Sequence, residues 1–371
     1  MSNIRGLYIH VPFCIRKCAY CDFYSLAGQL GLVERYVEAV LSECRAYTGV
    51  PFRTLYLGGG TPSLLGDENL RKLIYGLRQC LDLSGLAEAT IEVNPESATV
   101  QLLETTREMG IDRLSVGVQS LSDYELESVG RIHRAAQAIE TLRRARKLGF
   151  RTVSADLIIG LPGQEWETLR MGLETLTGLG IEHLSLYCLS VEEGTPLAAS
   201  PPGDLLSDDA QAELFDQASR FLERHAFIHY EISNFALKGH ECLHNLNYWR
   251  GGEYLGLGPA AASHYHGKRF NNRPDFHAYL GNPAGQREGV EELGVQAKAA
   301  EEAMLRLRLL SEGLNTGELA ARFGYENVQD LFGRLDEMAT AGALVYDGSS
   351  YRLIPSRVLT SNPIFCRVLS S

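Results

Sequence analysis

Cys14, Cys18 and Cys21 stand at C-x3-C-x2-C spacing, within His10-Val11-Pro12-Phe13-Cys14-Ile15-Arg16-Lys17-Cys18-Ala19-Tyr20-Cys21. A loop of that length can fold three thiolates around one compact inorganic centre. A 4Fe-4S cluster normally takes four protein thiolates, so three leave one iron open to a ligand from outside the chain. Structural zinc on the three cysteines and His10 is the competing chemistry, and burial as small hydrophobes the bland one. Zinc frameworks usually bring a second C-x2-C knuckle, and this sequence has none. The remaining cysteines, Cys44, Cys80, Cys188, Cys242 and Cys366, occur singly and mostly in helix or strand patterns, where burial accounts for them.

Further polar groups sit at or just beyond the ends of apolar runs. Gly58-Gly59-Gly60-Thr61-Pro62 lets backbone approach a ligand closely, although a glycine run alone is often just a tight turn. Glu92-Val93-Asn94-Pro95 puts a carboxylate inside an apolar strand, where it wants a cationic partner or hydroxyls. Gly117-Val118-Gln119-Ser120 follows, and then Gly130-Arg131-Ile132-His133-Arg134, whose Arg131 could hold a carboxylate in two-point fashion. Asp156 lies in the apolar run that ends at Gly160-Leu161-Pro162-Gly163. One such residue could be a satisfied core polar group, whereas several in succession along one rim call for a ligand. Farther on, His244-Asn245-Leu246-Asn247-Tyr248-Trp249 sets a histidine beside aromatics that could cover a planar ligand.

These residues need a scaffold, and the hydrophobic periodicity supplies one. Short β-branched runs at 5–11, 53–57, 89–93, 112–118, 151–159, 182–189 and 227–233 alternate with helical patterns at 33–47, 67–80, 99–109, 135–147, 166–178 and 207–224. The repeat predicts an α/β fold, a parallel sheet with helices outside it. Six βα units are too few for a closed eight-stranded barrel but suit a partial, TIM-like (β/α)6 barrel over residues 1–235, with function at the strand ends. Residues 236–290, rich in Gly, Asn, His and aromatics, read as irregular structure capping the barrel, with a linker near Gly281-Asn282-Pro283. Residues 291–371 read as a small winged-helix-like α+β domain. Its helices fall near 296–311, from Asn315 with Glu318 in capping-box register, and near 326–341, before two strands around Asp347-Gly348.

Composition bounds the function. The 371 residues carry 45% hydrophobic and 22% charged residues, as a folded globular chain does, and a net charge of −11. That charge argues against nucleic acid as a partner, and the C-terminal module has no basic recognition face. No apolar run reaches the length of about 18 that spanning a bilayer requires. The first residues lack the pattern of an export signal, which makes the cytoplasm the expected compartment.

The cysteine spacing, with Tyr20 before the third cysteine, resembles the cluster motif of radical S-adenosylmethionine (SAM) proteins, in which SAM chelates the unique iron. The order of the remaining motifs resembles the oxygen-independent coproporphyrinogen III oxidase family over nearly the whole chain. That resemblance implies that Tyr8, Gly59 and Glu92 contact cluster-bound SAM, and that Gly60, Thr61, Gln119, Arg131 and Asp156 match positions holding a second SAM in the oxidase. The oxidase motif continues to a fourth cysteine, but here Cys21-Asp22-Phe23 follows, and the first strand starts within a handful of residues. Both departures, and the H-N-x-x-Y-W run at 244–249, resemble the heme chaperone branch, HemW. That branch implies heme bound through His244, Asn245, Tyr248 and Trp249, and transfer to recipient hemoproteins such as respiratory ones. His240, Cys242, His264 and His266 compete with His244 as axial ligand. The oxidase reaction, a radical decarboxylation of coproporphyrinogen III, is the alternative function.

Overall fold

The computed structural model describes residues 5–370. Strands β1 (Arg5–Val11), β2 (Thr54–Gly59), β3 (Glu88–Val93), β4 (Arg113–Gln119), β5 (Thr152–Ile159) and β6 (His183–Cys188) lie side by side in chain order, all parallel. Helices Val33–Cys44, Gly66–Cys80, Val100–Glu108, Ala135–Lys147, Trp166–Gly178 and Asp208–Arg224 follow the six strands in turn, so the partial (β/α)6 barrel forms as the periodicity predicts. Alternation along each strand decides the two faces. Leu7, Ile9 and Val11 of β1 are buried with Val37 and Val40 of the first helix, each worth roughly 1.5–3 kcal/mol of transfer free energy. The residues between them, Tyr8 and His10, lie on the barrel's inner face.

Two expectations need correction. The run 227–233 is not a further parallel strand. It forms a hairpin, β7 (Ile228–Glu231) and β8 (Asn234–Ala236), with β8 antiparallel to β6. Only Ile232 and Ser233 separate the two strands, so the pair reads as one run in the sequence.

Nor is 236–290 an irregular cap. After helix Leu243–Trp249, strand β9 (Glu253–Leu257) pairs in parallel with β1 on its free side. Strands β10 (Ala262–Tyr265), β11 (Lys268–Asn272) and β12 (Arg287–Glu291) then extend the sheet antiparallel, giving twelve strands. Glycine disguises these strands because the chain crowds itself: a Cβ on Gly256 would sit 2.2 Å from the Ala262 carbonyl oxygen. The stretch expected to be a linker is a helix, Phe276–Gly281, and a turn leading into β12. Buried Glu43 ties this extension to the first helix by accepting from Gly258 N–H (3.0 Å), Asn272 Nδ2 (2.7 Å) and Tyr279 O–H (2.6 Å).

The C-terminal module has the winged-helix-like plan. Helices Val295–Arg306, Thr316–Phe323 and Tyr325–Thr340 pack with a three-stranded sheet, Leu314–Asn315 against Ser350–Leu353 against Leu344–Tyr346, around their own apolar cluster. The Asn315 side chain caps the second helix by accepting from Glu318 N–H at 2.9 Å. The reciprocal half of the box is absent, because the Glu318 carboxylate reaches Arg306 instead. A closing helix, Asn362–Leu369, is not apparent from the sequence pattern. Among the described residues no helix is long and apolar enough to cross a membrane.

Candidate functional site

The cysteine loop leaves β1 and is pinned at both ends. Phe13 is fully buried edge-on between Tyr36 and Phe276, with ring centroids 5.3 and 5.6 Å away, and Leu26 N–H donates to the Pro12 carbonyl at 2.6 Å. At mid-loop, Ala19 N–H donates to the Val129 carbonyl at 3.1 Å. Cys14, Cys18 and Cys21 are free, half-buried, and line one cavity of about 430 Å3 at the carboxyl ends of the strands. The Cys21 thiol is pushed up first by burial and further by Cys18 and Cys14, the strain that a bound cationic centre relieves. Among the described residues no three His, Cys, Asp or Glu side chains converge as a single metal ion requires. The three thiols line one open cavity, as a shared inorganic centre needs.

The same cavity gathers Gly59, Gly60, Thr61, Glu92, Gln119, Arg131 and Asp156. Gly59 has φ of 106°, and a Cβ there would meet the His10 ring at 2.6 Å; one on Gly60 would meet the Phe13 carbonyl oxygen at 2.6 Å. Glu92 accepts from Tyr56 O–H at 2.7 Å and Gly59 N–H at 3.2 Å, and burial raises its pKa to about 7. Asp156 accepts from Ser115 at 3.0 Å and Ser185 at 2.7 Å, its pKa also raised by burial. Gln119 ends β4 with φ of 64° beside a break in register with β5, a strained placement for a side chain other than glycine. Buried Arg131 donates to Asn94 Oδ1 (2.9 Å) and the Gly117 carbonyl (3.0 Å), while its Nε has no partner. Among the described residues neither Arg131, Glu92 nor Asp156 forms an ion pair. The cavity therefore offers a guanidinium, with Glu96 beside it, and two acids that no cation pairs directly, a charge set that a zwitterionic ligand can meet.

Tyr8 is not brought to this cavity; its hydroxyl meets His10 Nδ1 at 3.0 Å and it borders a second cavity instead. His244 is 1% exposed and stacks on Tyr56 at 5.1 Å. Its Nδ1 meets Thr54 Oγ1 and its Nε2 meets the Tyr248 hydroxyl, both at 2.8 Å, so neither ring nitrogen is free. Burial lowers its pKa to about 3. Asn245 is half-buried and lines neither cavity, whereas Tyr248 and Trp249 border the second.

Residues 8–176 match the Radical SAM superfamily. Over 374 residues the sequence is 33% identical to the heme chaperone HemW of Bacillus subtilis, covering 98% of both chains. It is 34% identical to the HemW of Lactococcus lactis over 83% of this chain and 82% of that one. The chain belongs to the HemW family of radical SAM proteins. The fold agrees: the structure titled as coproporphyrinogen III oxidase (HemN) from Escherichia coli superposes with a TM-score of 0.84 at 21% identity, over 99% of this chain and 89% of that one.

In this HemW-family chain several residues in or behind the cavity wall escape a motif reading. Asn94 joins Thr61 (3.0 Å) to Arg131, Tyr56 positions Glu92, and Ser115 and Ser185 hold Asp156. The signal for Tyr56, Ser115 and Ser185 is the period of two, each on the inward face of a strand whose outward face is apolar, whereas Asn94 lies just beyond the end of β3.

Proposed function

We propose that the chain is a heme chaperone carrying a 4Fe-4S cluster and SAM, and that it passes heme to recipient hemoproteins. Cys14, Cys18 and Cys21 would hold the cluster, which when bound supplies an open iron for chelation and a one-electron donor. The guanidinium with its free Nε and the two acids without a cation partner, gathered beside the thiols, support the SAM reading. Arg131 would take the carboxylate, and Glu92 and Asp156 would face the cationic parts, with Gly59 and Gly60 admitting the ligand against backbone. Gln119 and Thr61 complete the rim. The heme function is supported by the family, whose members named above are heme chaperones.

Transfer is tested by loading purified protein with heme and mixing it with an apo-hemoprotein, following the recipient's Soret band. Heme passage without protoporphyrinogen formation from coproporphyrinogen III, SAM and reductant is expected. Turnover of coproporphyrinogen III with no heme passage would reverse the assignment.

A further inference from the structure

The run Gly130-Arg131-Ile132-His133-Arg134 carries a second polar side chain that turns inward. His133 is 1% exposed. Its Nε2 meets the Val118 carbonyl oxygen at 3.1 Å, and because a carbonyl only accepts, that nitrogen carries a hydrogen. Its Nδ1 lies 3.3 Å from Arg131 Nη2 and 3.3 Å from Glu96 Oε2. Burial pushes the Glu96 carboxyl up, but His133 and Arg131 outweigh it and hold the group below its ordinary value, as the carboxylate.

These contacts fall where β4 leaves the sheet. Register with β5 breaks between Gly117 and Gln119, and side chains supply partners to the carbonyls at the break. Arg131 Nη2 donates to the Gly117 carbonyl at 3.0 Å and His133 Nε2 to that of Val118. Ser120 N–H also donates to the Val118 carbonyl, at 2.8 Å, and so closes a three-residue turn about Gln119. The turn keeps Gln119 at φ of 64°, with its side chain over Gly117, where a Cβ would meet Gln119 Nε2 at 3.0 Å and Asn94 Oδ1 at 2.7 Å. A backbone strained in this way persists only where its surroundings hold it.

We propose that His133, braced by Glu96, is a positioning residue for the SAM site: it holds the turn that carries Gln119 into the cavity and steadies Nη2 of Arg131 while Nη1 faces Cys18. Glu96 and His133 stand two residues beyond Asn94 and Arg131, which are themselves joined at 2.9 Å, so one loop grips the other at two points. His133 does not itself line the cavity and acts through Gln119 and Arg131. The inference rests on the SAM reading above.

The test is anaerobic SAM titration of the reconstituted full chain, by calorimetry and by the electron paramagnetic resonance of the cluster, with iron content measured alongside. The parent is compared with His133→Phe, His133→Gln, Glu96→Ala and Glu96→Gln. A phenyl ring keeps the volume of the imidazole but has no donor, whereas the Gln amide nitrogen can still reach the Val118 carbonyl. His133→Phe should weaken SAM binding about tenfold with iron content unchanged, and His133→Gln should recover most of that loss. Glu96→Ala should weaken binding severalfold, and Glu96→Gln, which keeps a partner for Nδ1, should stay close to the parent. Glu96 is only half-buried, so its variants decide the question if His133→Phe does not fold. Were Glu96 merely a charge competing for Arg131, both of its variants would bind SAM more tightly, and that result would overturn the positioning role. Parent-like affinity in both His133→Phe and Glu96→Ala would overturn it too, while leaving the SAM reading standing. A parent cluster that takes up no SAM would overturn both.

Discussion

The Nη1 of Arg131 stands 3.5 Å from the sulfur of Cys18, although the two residues are separated by more than a hundred positions in the chain. One guanidinium thus touches the thiol set and also faces the cavity where a ligand carboxylate would lie. Hydrogen bonds to charged groups contribute about 1.5–3 kcal/mol, so Arg131→Met should weaken SAM binding roughly 10- to 100-fold. Iron content per chain should not change. Anaerobic calorimetric titration with SAM, alongside iron analysis, measures both. Undiminished SAM affinity would assign the guanidinium to the thiolates alone.

Glu92 predicts a specific pH dependence of stability. Burial raises its pKa from 4.5 to about 7 in the fold. Between those values the unfolded chain releases a proton that the folded chain keeps, so stability falls as pH rises through this window. Above pH 7 the cost is constant, of order 3 kcal/mol. Glu92→Gln should therefore melt higher than the parent at pH 8, with the gap narrowing toward pH 5. A gap independent of pH would contradict the uncompensated carboxylate.

The backbone beneath the cysteine loop should not tolerate a side chain at position 60. The Phe13 and Val11 carbonyl oxygens, 2.6 and 2.9 Å from a Cβ there, belong to backbone and cannot step aside. Gly60→Ala should cost about 1–3 kcal/mol and lower iron loading, because the strain falls at the root of the loop. Gly333→Ala is the control. It lies within a helix with nothing near its Cβ, so the same change there should stabilise by up to about 1 kcal/mol. Thermal melts of the two variants that move alike would remove the steric explanation.

His244 should behave as a structural residue in the first instance. Its removal orphans Thr54 Oγ1 and the Tyr248 hydroxyl and empties space against Tyr56, costing about 2–4 kcal/mol. Because its pKa is lowered to about 3, the unfolded chain gains a proton below pH 6.5 that the folded chain refuses. The parent's advantage over His244→Ala is thus largest above pH 6.5 and shrinks as pH falls. Urea unfolding at pH 7.5 and pH 5.5 measures this, and an advantage that grows in acid would contradict the buried neutral ring.

Much of this was legible because period and chemistry agreed. Apolar runs interrupted by Glu92 and Asp156 revealed both the strands and their inward faces, and the parallel order followed from the helices between them. The β7–β8 hairpin was hidden because two residues suffice to reverse the chain. Strands β9 to β12 were hidden because Gly256 and its neighbours serve close backbone approach, which in sequence resembles a loop. The thiol set was legible from spacing, and the engagement of His244 was not, since its partner Thr54 lies 190 positions away. For the same reason the sequence could set His240, Cys242, His244, His264 and His266 side by side but could not say which of them the fold already engages.

If three thiols hold an iron–sulfur cube, one iron is left for SAM. Oxygen-free reconstitution followed by metal and sulfide analysis, with absorption and electron paramagnetic resonance spectra before and after adding SAM, tests it directly. About four irons and four sulfides per chain, a signal perturbed by SAM, and loss of both in Cys14→Ala, Cys18→Ala or Cys21→Ala are predicted. Stoichiometric zinc, or a cluster whose spectrum ignores SAM, would contradict it.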